Sequence, residues 1–374
     1  MSEPEALSAR EAAALLGIKR ETLYAYASRG LVRSSPGDGK ERRYLRSDLV
    51  LLKTRHDARS GHGPVAGAAL RWGEPVLDSA LTGIDARGPR YRGKVAAELA
   101  QAGVSFERVA ELLWTGALPG DAGWPSVTNT PGASPMATVL ALAERDPDPT
   151  PAGRQQELTR ARKIVSALAA HGRTPGPGIA ATLAGTGSGA AAIDRALVVM
   201  ADHELNPSSF VARITASTGA SLYAVVTAAL AALSGPLHGG ACERVEALLD
   251  EVRSRDRAAG VVTARRRRGE AIPGFGHRLY PAGDPRAAVI LADARAVGGP
   301  AAEALDAVAE AMAASGELPT VDLALVALTE ALGLPRGSAG HVFAVGRSAG
   351  WIAHALEQRG DGDLLRPRAR YVGE

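Results

Sequence analysis

Two short segments of this chain each place a histidine among glycines, residues 235–241 and residues 273–278. The histidines are His238 and His277, two of only eight in 374 residues. Glycine beside a histidine lets a ligand approach the backbone closely. A carboxylate, Asp322, and several arginines follow downstream. Two histidines and an acid indicate proton transfer on a carbonyl compound.

Length and composition set the class of protein. A chain of 374 residues suffices for two or three domains, and 46% hydrophobic with 22% charged residues is typical of a globular protein. The net charge of +3 is too weak to imply a polyanionic partner for the whole molecule. However, residues 1–60 hold 12 Lys and Arg against 8 Asp and Glu, so the positive charge is concentrated there.

Several classes of protein are excluded by what the sequence lacks. The single cysteine, Cys242, excludes a disulfide framework and a cysteine-rich metal site, and there is no HExxH motif, so we expect no metal. The acidic, polar N-terminus predicts no signal peptide. The longest apolar stretch, around residues 220–233, is shorter than the roughly 20 residues that span a bilayer. We therefore expect a buried helix there, no membrane partner and a cytoplasmic location.

The first 60 residues predict two helices, a hairpin and a third helix. Ser8 and, three residues later, Glu11 form a capping box that begins the first helix, and Gly17 ends it. The next three predicted elements are a second helix, a hairpin around a Pro-Gly turn and a third helix, at residues 20–28, 32–44 and 47–59.

Two helices across a tight turn, followed by a basic hairpin, are typical of a winged helix-turn-helix. The segment resembles the excisionase-like and MerR-like DNA-binding family. Lys40, Arg42 and Arg43 of the hairpin could neutralise phosphates, so residues 1–60 favour DNA as a partner. The alternative is a small helical appendage that packs against the body or contacts another protein.

Beyond a linker near residues 60–67, helical periodicity dominates and alternating β-branched runs are almost absent. Broad apolar helical faces lie in residues 106–114 and 245–252. The glycine-rich residues 185–189 look like a phosphate-binding loop, but no strand precedes them and no Gly-Lys-Ser/Thr follows. We interpret them as a place of close helix packing. The body is therefore expected to be all-α.

A series of motifs in the body resembles one family. In chain order they are Tyr91-Arg92-Gly93, residues 106–119, Ala201-Asp202-His203-Glu204, the two histidine–glycine segments, Val321-Asp322, residues 346–354, and Arg366-Pro367-Arg368. Together they span about three quarters of the chain, and in this order they resemble citrate synthase. The resemblance implies two helical domains, a large one over residues 65–238 and 328–374 and a small one over residues 239–327 that rotates over the bound ketoacid.

The resemblance also implies a reaction, the condensation of acetyl-CoA with oxaloacetate followed by hydrolysis of the thioester, as in the tricarboxylic acid cycle. Asp322 matches the base that removes the methyl proton, and His238 matches the donor to the thioester oxygen. His277 matches the donor to the oxaloacetate carbonyl. An aspartate is a weak base at its reference pKa of about 3.9. We expect domain closure to exclude water and raise the pKa of Asp322.

Oxaloacetate carries two carboxylates, and the planar fork of arginine binds such groups bidentately. By the match, Arg286, Arg347 and Arg366 fill these places, and His203 is a further ligand. In the family, the arginine that matches Arg366 reaches the neighbouring subunit's site. The resemblance therefore implies a homodimer with shared active sites.

Coenzyme A is expected as a co-substrate, with no tightly bound cofactor. The resemblance implies these contacts for it: Pro273, Gly274, Phe275, Gly276 and Arg278. The arginine run at residues 265–268 could bind the phosphates of coenzyme A, but a solvated helix end is an equal alternative.

Four positions depart from the usual residues of the family. Met200 stands where histidine is common, Cys242 where asparagine is frequent, Pro281 where lysine is common and Leu323 where phenylalanine is usual. None of these changes removes a catalytic group. Three other histidines are expected to be packed or surface residues: His171, His341 and His354.

Two alternative functions remain open from the sequence. The first is a 2-methylcitrate synthase that uses propionyl-CoA, because one methylene changes pocket preference by only about 1–3 kcal/mol. The second is a DNA-binding regulator whose synthase body senses oxaloacetate or acyl-CoA without turnover.

Overall fold

The computed structural model describes residues 6–37, 41–46, 48–49, 52, 77–125, 134–185, 187–367 and 371. The chain divides into two compact units, Met1–Asp78 with Pro367–Glu374, and Ser79–Arg366. We call the first the N-terminal unit and the second the body. Some predicted features lie outside the described residues: Lys40, most of the third N-terminal helix, the linker near residues 60–67, and Arg368.

The N-terminal unit begins with a capped helix, as the sequence predicts. Its described elements are β1 (Ala6–Ser8), α1 (Ala9–Leu16), α2 (Arg20–Ser28), β2 (Ser34–Pro36) and β3 (Arg42–Leu45). The Ser8 hydroxyl accepts from the Glu11 amide, and the Glu11 carboxylate accepts from the Ser8 amide at 2.9 Å, which completes the capping box. Gly17 ends α1 with φ +62°, in the left-handed region that favours glycine.

The predicted hairpin of the N-terminal unit is confirmed as β2 and β3. Both pair antiparallel, and β1 adds to the other edge of β3, so the strand order is β1-β3-β2. The strand β1 is a feature that we did not predict. Leu23 of α2 and Tyr44 of β3 are buried in a small apolar cluster, which is the core of this unit.

The body is mostly helical, as predicted, but it opens with a small antiparallel sheet. Its strands are β4 (Thr82–Asp85), β5 (Gly88–Tyr91) and β6 (Lys94–Val95), in the order β4-β5-β6. Strands of two to four residues are too short to produce a recognisable alternation of apolar and polar residues. The sequence therefore gave no signal for them.

The helices of the described body residues follow the sheet. They are α3 (Ala96–Gln101), α4 (Phe106–Thr115), α5 (Pro135–Arg145), α6 (Arg154–Ala170), α7 (Ile179–Ala184), α8 (Ala190–Met200), α9 (Pro207–Ser217), α10 (Leu222–Leu233), α11 (Ala241–Val252), α12 (Ala258–Arg267), α13 (Pro285–Val297), α14 (Pro300–Ala313), α15 (Val321–Ala331) and α16 (Ser338–Asp361). The apolar stretch near residues 220–233 is the predicted buried helix, α10. Among the residues described, no helix is long and apolar enough to cross a membrane.

The core of the body surrounds α16, which is buried along most of its 24 residues. The apolar face of α4 is fully buried there, including Phe106 and Trp114. A second, smaller apolar cluster lies entirely between Leu248 and Met312. This cluster falls inside the predicted small domain, residues 239–327, but the division of the body into a large and a small domain stays a prediction.

Glycines let α16 lie directly against the end of α8. A Cβ added at Gly346 would be 3.0 Å from the Cβ of Met200, and one at Gly350 would be 2.3 Å from Oδ1 of Asp202. This close approach brings Arg347 to the segment that carries His203. Gly189 also allows close packing, because a Cβ there would be 2.5 Å from the Leu332 side chain. This agrees with our interpretation of residues 185–189 as a place of close helix packing.

Candidate active site

A short backbone ladder holds together two of the segments predicted to carry catalytic groups. The amide of Gly276 donates to Leu318 O at 3.0 Å, and the amide of Thr320 donates to Gly274 O at 2.9 Å. Gly274 has φ +86°, and a Cβ there would be 2.8 Å from the Cβ of Leu323. The ladder fixes the segment of His277 beside the residues that lead to Asp322.

His203, His277 and Tyr280 form one compact group. The rings of His203 and His277 meet edge to face with centroids 5.5 Å apart, and Nε2 of His203 lies 2.8 Å from the hydroxyl of Tyr280. Burial, followed by the charges of Arg286 and Arg347, holds the pKa of His203 well below its usual value. His203 is therefore neutral at pH 7.

His277 faces the site with one nitrogen already engaged. The amide of Leu279 donates to its Nδ1 at 3.2 Å. Burial and then the charge of Arg286 lower the pKa of His277, which favours the neutral ring. A neutral imidazole that accepts at Nδ1 carries its proton on Nε2. In that tautomer Nε2 is an N–H donor, and it lies 3.5 Å from Nη2 of Arg286, which is also a donor, so an anion bound between the two groups could accept from both.

Arg286 is held in place by a buried carboxylate. Its Nε and Nη2 bind the two oxygens of Asp284 at 3.0 and 2.9 Å, and both side chains are almost fully buried. Asp284 also caps α13, whose second residue is Arg286. Nη2 of Arg286 lies 3.5 Å from Nε2 of His277, so the outer edge of the guanidinium faces the histidine group.

Arg347 is a buried guanidinium whose one hydrogen bond to the described residues is with a backbone carbonyl. Its Nε donates to Met200 O at 2.9 Å, and its Cζ lies 5.0 Å from the centre of the Phe343 ring. Burial lowers the pKa of Arg347 to about 10, against the opposing charge of Asp202. A buried cation with unused donors is a strong site for an anion.

Met200 stands where the family often has histidine, and we expected a polar contact to be lost there. The structure uses the backbone carbonyl of Met200 as the acceptor for Arg347, while its side chain is buried in the core. The substitution therefore leaves the anchoring of Arg347 intact.

His238 belongs to a chain of hydrogen bonds that begins at α16. The indole N–H of Trp351 donates to Oγ of Ser208 at 3.0 Å, and this hydroxyl lies 2.8 Å from Nε2 of His238. Burial, followed by the charge of Arg347, lowers the pKa of His238 to about 4. His238 is therefore neutral at pH 7, so one ring nitrogen is a hydrogen-bond donor and the other an acceptor.

Asp322 begins α15 and has one side-chain donor at each carboxylate oxygen. The hydroxyl of Thr320 donates to Oδ2 at 3.2 Å, and the thiol of Cys242 donates to Oδ1 at 3.6 Å. Burial raises the pKa of Asp322, against the charge of Arg286 and these two hydrogen bonds. The carboxylate is thus a stronger base than an exposed aspartate, already before any closure.

Two buried arginines connect these groups electrostatically. Arg286 acts on the pKa of His203, His277 and Asp322. Arg347 acts on His203 and His238. The contacts agree with this. The Phe343 ring lies 5.0 Å from Cζ of Arg347 and 6.4 Å from the centre of the His238 ring, and Arg286 lies 3.5 Å from His277, whose segment is bound to Thr320 beside Asp322.

Asp202, next to His203, is buried against His354 of α16. Their nearest atoms are 3.4 Å apart, and both side chains are at most 1% exposed. His354 is therefore a packed residue, as expected. Asp202 precedes His203 in the chain, and His354 lies two turns after Arg347 in α16, so the pair links the two segments that carry these residues.

Some predicted ligands are not brought to this constellation. Arg366 is exposed after the end of α16, and it has no hydrogen bond or ion pair with any residue in the described ranges. The run at residues 265–268 is partly neutralised, since Arg265 binds Glu251 and Arg268 binds Glu270. Arg278 is exposed. The contacts predicted for these residues stay predictions.

Three residues of the site were not predicted from the sequence: Ser208, Tyr280 and Thr320. Tyr280 lies three residues after His277, and Thr320 two before Asp322, so proximity to the motifs was the available signal. Ser208 is far from His238 in the chain, and its contact had no signal in the sequence. Among the described residues, no cluster of His, Cys, Asp and Glu is arranged to hold a metal ion.

Comparison with known proteins agrees with this geometry. Residues 134–368 match the family described as "Citrate synthase, C-terminal domain", which is more than half of the chain. The chain belongs to the citrate synthase family. Residues 6–57 match the family described as "Helix-turn-helix domain", which confirms the predicted N-terminal module.

Relatives in the citrate synthase family differ in how much of this chain they match. A putative citrate synthase 2 of Mycobacterium tuberculosis is 44% identical over 192 residues, 49% of this chain and 51% of that protein. The chain thus spans about half the length of the curated relatives it matches most strongly. A 2-methylcitrate synthase of Mycobacterium tuberculosis is 30% identical over 331 residues, 76% of this chain and 84% of that protein.

Solved structures of the family confirm the fold. Citrate synthase from Thermoplasma acidophilum, in a ternary complex with carboxymethyl coenzyme A and oxaloacetate, superposes with a TM-score of 0.70 at 25% identity. The match covers 80% of this chain and 94% of that one. Citrate synthase from Thermotoga maritima gives 0.66 at 26% identity over 81% of this chain and 94% of that one.

Proposed function

We propose that this protein condenses acetyl-CoA with oxaloacetate and hydrolyses the resulting thioester to citrate and coenzyme A. The observation that carries the proposal is the geometry around two buried arginines: Arg286 lies 3.5 Å from His277, and Arg347 and His238 both contact the Phe343 ring. The backbone ladder holds the segment of His277 beside the residues that lead to Asp322. Such a site offers a strengthened base and two neutral N–H donors, which is what enolisation and addition to a ketone require.

In the first step, the Asp322 carboxylate takes a proton from the methyl group next to the thioester. His238 donates a hydrogen bond to the thioester oxygen and stabilises the developing enolate. For this role the proton of the neutral ring must be on Nδ1. The hydroxyl of Ser208 contacts Nε2 at 2.8 Å and also donates to Oδ1 of Asn206 at 2.8 Å, so this tautomer requires the hydroxyl to turn its single hydrogen from Asn206 to Nε2.

In the second step, the enol carbon attacks the ketone carbon of oxaloacetate, and the ketone oxygen gains negative charge. His277 donates from Nε2 to that oxygen. Arg286 and Arg347 hold the two carboxylates of the ketoacid, with His203 as a neutral donor. Water then cleaves the thioester, which releases coenzyme A as the thiol. Coenzyme A would lie along residues 273–278, where Gly274 and Gly276 have positive φ.

The direct test is release of free thiol from acetyl-CoA and from propionyl-CoA, each with and without oxaloacetate. We expect release that depends on oxaloacetate. A higher kcat/KM with propionyl-CoA would favour the alternative, a 2-methylcitrate synthase, which the 30% identity to such an enzyme supports. No release from either thioester would contradict the proposal and favour the sensor.

We propose that the active enzyme is a homodimer in which Arg366 completes the partner's site. Support comes from its position, since it is exposed and has no partner among the described residues of its own chain. Two inactive variants, Arg366→Ala and Asp322→Asn, should restore part of the activity when refolded together, because one site of the mixed dimer then has both residues intact. No recovery in the mixture would contradict shared sites.

We propose DNA as the partner of the N-terminal unit. Arg20 and Tyr24 on α2, and Arg42 and Arg43 on β3, expose a surface that could contact phosphates and bases. Binding in a gel shift should weaken steeply as salt rises. The variant Arg42→Ala should weaken binding, whereas Glu21→Gln should not. A cytoplasmic location also stays a prediction, to be checked by cell fractionation.

A further inference from the structure

The thiol of Cys242 lies against the carboxylate that the proposed reaction uses as its base. Cys242 is the only cysteine in 374 residues and is 2% exposed, in the first turn of α11. Its Sγ is 3.6 Å from Oδ1 of Asp322, while the hydroxyl of Thr320 is 3.2 Å from Oδ2. Each oxygen of the base thus faces one side-chain donor.

The thiol must be the donor in this contact. Burial and then the neighbouring Asp322 raise the pKa of Cys242 well above its usual value, so the sulfur keeps its proton. A protonated thiol next to an ionised carboxylate lowers the energy of the pair by donating its hydrogen. A cysteine packed only as an apolar group would have no reason to face a carboxylate oxygen.

We propose that Cys242 is a positioning residue for the general base, one that fixes the orientation of the Asp322 carboxylate through an S–H···Oδ1 hydrogen bond. This inference rests on the proposed function. An S–H group is a weak donor. It therefore restrains the carboxylate without removing as much basicity as an amide or hydroxyl donor would.

Because of its position in the chain, Cys242 also connects two of the catalytic segments. It follows His238 by four residues, so the thiol contact connects the segment of one catalytic group to the side chain of another. On the other side of Asp322, the amide of Thr320 binds Gly274 O in the segment of His277. Cys242 and Thr320 thus join the three catalytic segments at the base.

The first test does not depend on turnover. A single cysteine gives a single S–H stretching band in the infrared spectrum of the whole protein. We expect this band at the lower frequency of a hydrogen-bonded thiol, and we expect it to rise in Asp322→Ala, which removes the acceptor. A band at the frequency of a free thiol, unchanged by Asp322→Ala, would overturn the proposal even if the enzyme is active.

The second test is the pH profile of kcat/KM for thiol release. Cys242→Ala and Cys242→Val remove the donor, and valine keeps most of the volume. Both should move the acid limb to higher pH and lower kcat about tenfold through misorientation of the base, with KM for oxaloacetate unchanged. Cys242→Ser keeps a donor, and a stronger one, so it should keep kcat close to the wild type and move the acid limb to lower pH, opposite to alanine and valine.

Leu248→Ala is the matched control, because Leu248 is a fully buried residue of the same helix. It should lower the melting temperature and leave the acid limb in place. The proposal would be overturned, and Cys242 assigned to packing alone, if the acid limb does not move in Cys242→Ala and Cys242→Val. The same conclusion would follow if Leu248→Ala shifts the acid limb equally, or if the serine variant behaves like alanine. If the wild type releases no thiol, the proposed function fails, and the infrared test still decides the contact.

Discussion

Among the described residues, most charged side chains of the N-terminal unit are exposed to water, whereas the body buries several of its own. In the N-terminal unit, Arg33 binds Asp48 with two side-chain hydrogen bonds, yet the Arg33 side chain is 75% exposed. In the body, Arg213 is 1% exposed and Arg286 is 4% exposed, and each is bound by carboxylates. Both units use ion pairs, but in different surroundings.

This difference between exposed and buried ion pairs shows where a charged side chain can influence a reaction. Water and salt weaken the attraction within an exposed ion pair, so the pair contributes little to stability and its cation can bind a polyanion instead. A buried charge costs free energy unless it is paired, and there its field is strong enough to shift the pKa of its neighbours. The buried charges of the body therefore support the reaction proposed there, and the exposed charges of the N-terminal unit support the proposal of a nucleic-acid partner.

Of the substitutions that test this comparison of buried and exposed charge, the largest effect is expected at Asp322. Asp322→Asn removes the base while keeping its shape, and we expect thiol release and methyl-proton exchange to fall on the order of 10³-fold. The control is Asp306→Asn, which changes a carboxylate of α14 that binds Arg295 near the surface. Proton exchange at the wild-type rate in Asp322→Asn would exclude this residue as the base.

A smaller effect, on stability, is expected at Arg213. Its guanidinium binds Gln358, Glu357 and Asp361 of α16, at 2.7, 2.7 and 2.9 Å. Arg213→Ala removes a buried charge that three partners share, and we expect the free energy of unfolding to fall by about 3 kcal/mol. Urea denaturation of the full chain measures this. A loss no larger than that of Arg255→Ala, which breaks the surface pair with Glu310, would contradict the argument.

The smallest effect is expected in the N-terminal unit. Arg33→Ala removes the exposed pair with Asp48, and we expect only a slight fall in melting temperature that disappears at high salt, because the pair is already screened. Calorimetry at low and high salt measures it. A fall as large as that of Arg213→Ala would remove the distinction between the two units.

Much of the fold was predictable from local signals. The capping box at Ser8, the end of α1 at Gly17 and the apolar face of α4 were read directly from spacing, and the structure confirms each. The short strands β4, β5 and β6 were not predicted, because a strand of two to four residues has no periodicity to detect. The helices were detected because they are long enough to show periodicity, whereas these strands pair with near neighbours in the chain but are too short to show it.

The site was predictable in its parts but not in its connections. The glycine context marked His238 and His277, whereas Asp322 was one acid among 40 and only its motif distinguished it. Nothing in the sequence indicated that Arg286 would be clamped by Asp284, or that Ser208 would reach His238 from 30 residues away. The contact of Ser208 with His238 forms because segments 30 residues apart pack together, whereas the Asp284 clamp depends on the local geometry at the start of α13.

The sequence by itself determined the residue types that can move protons, the helical periodicity and the absence of a cysteine framework. Only the tertiary structure decided the protonation and the orientation of these proton-moving residues. It buried His203 and His238 until they stay neutral, raised the pKa of Asp322, and placed the one thiol of the chain at its carboxylate. The physical reason is that protonation and orientation depend on dielectric, charge and contact in three dimensions, and the order of residues along the chain does not specify these alone.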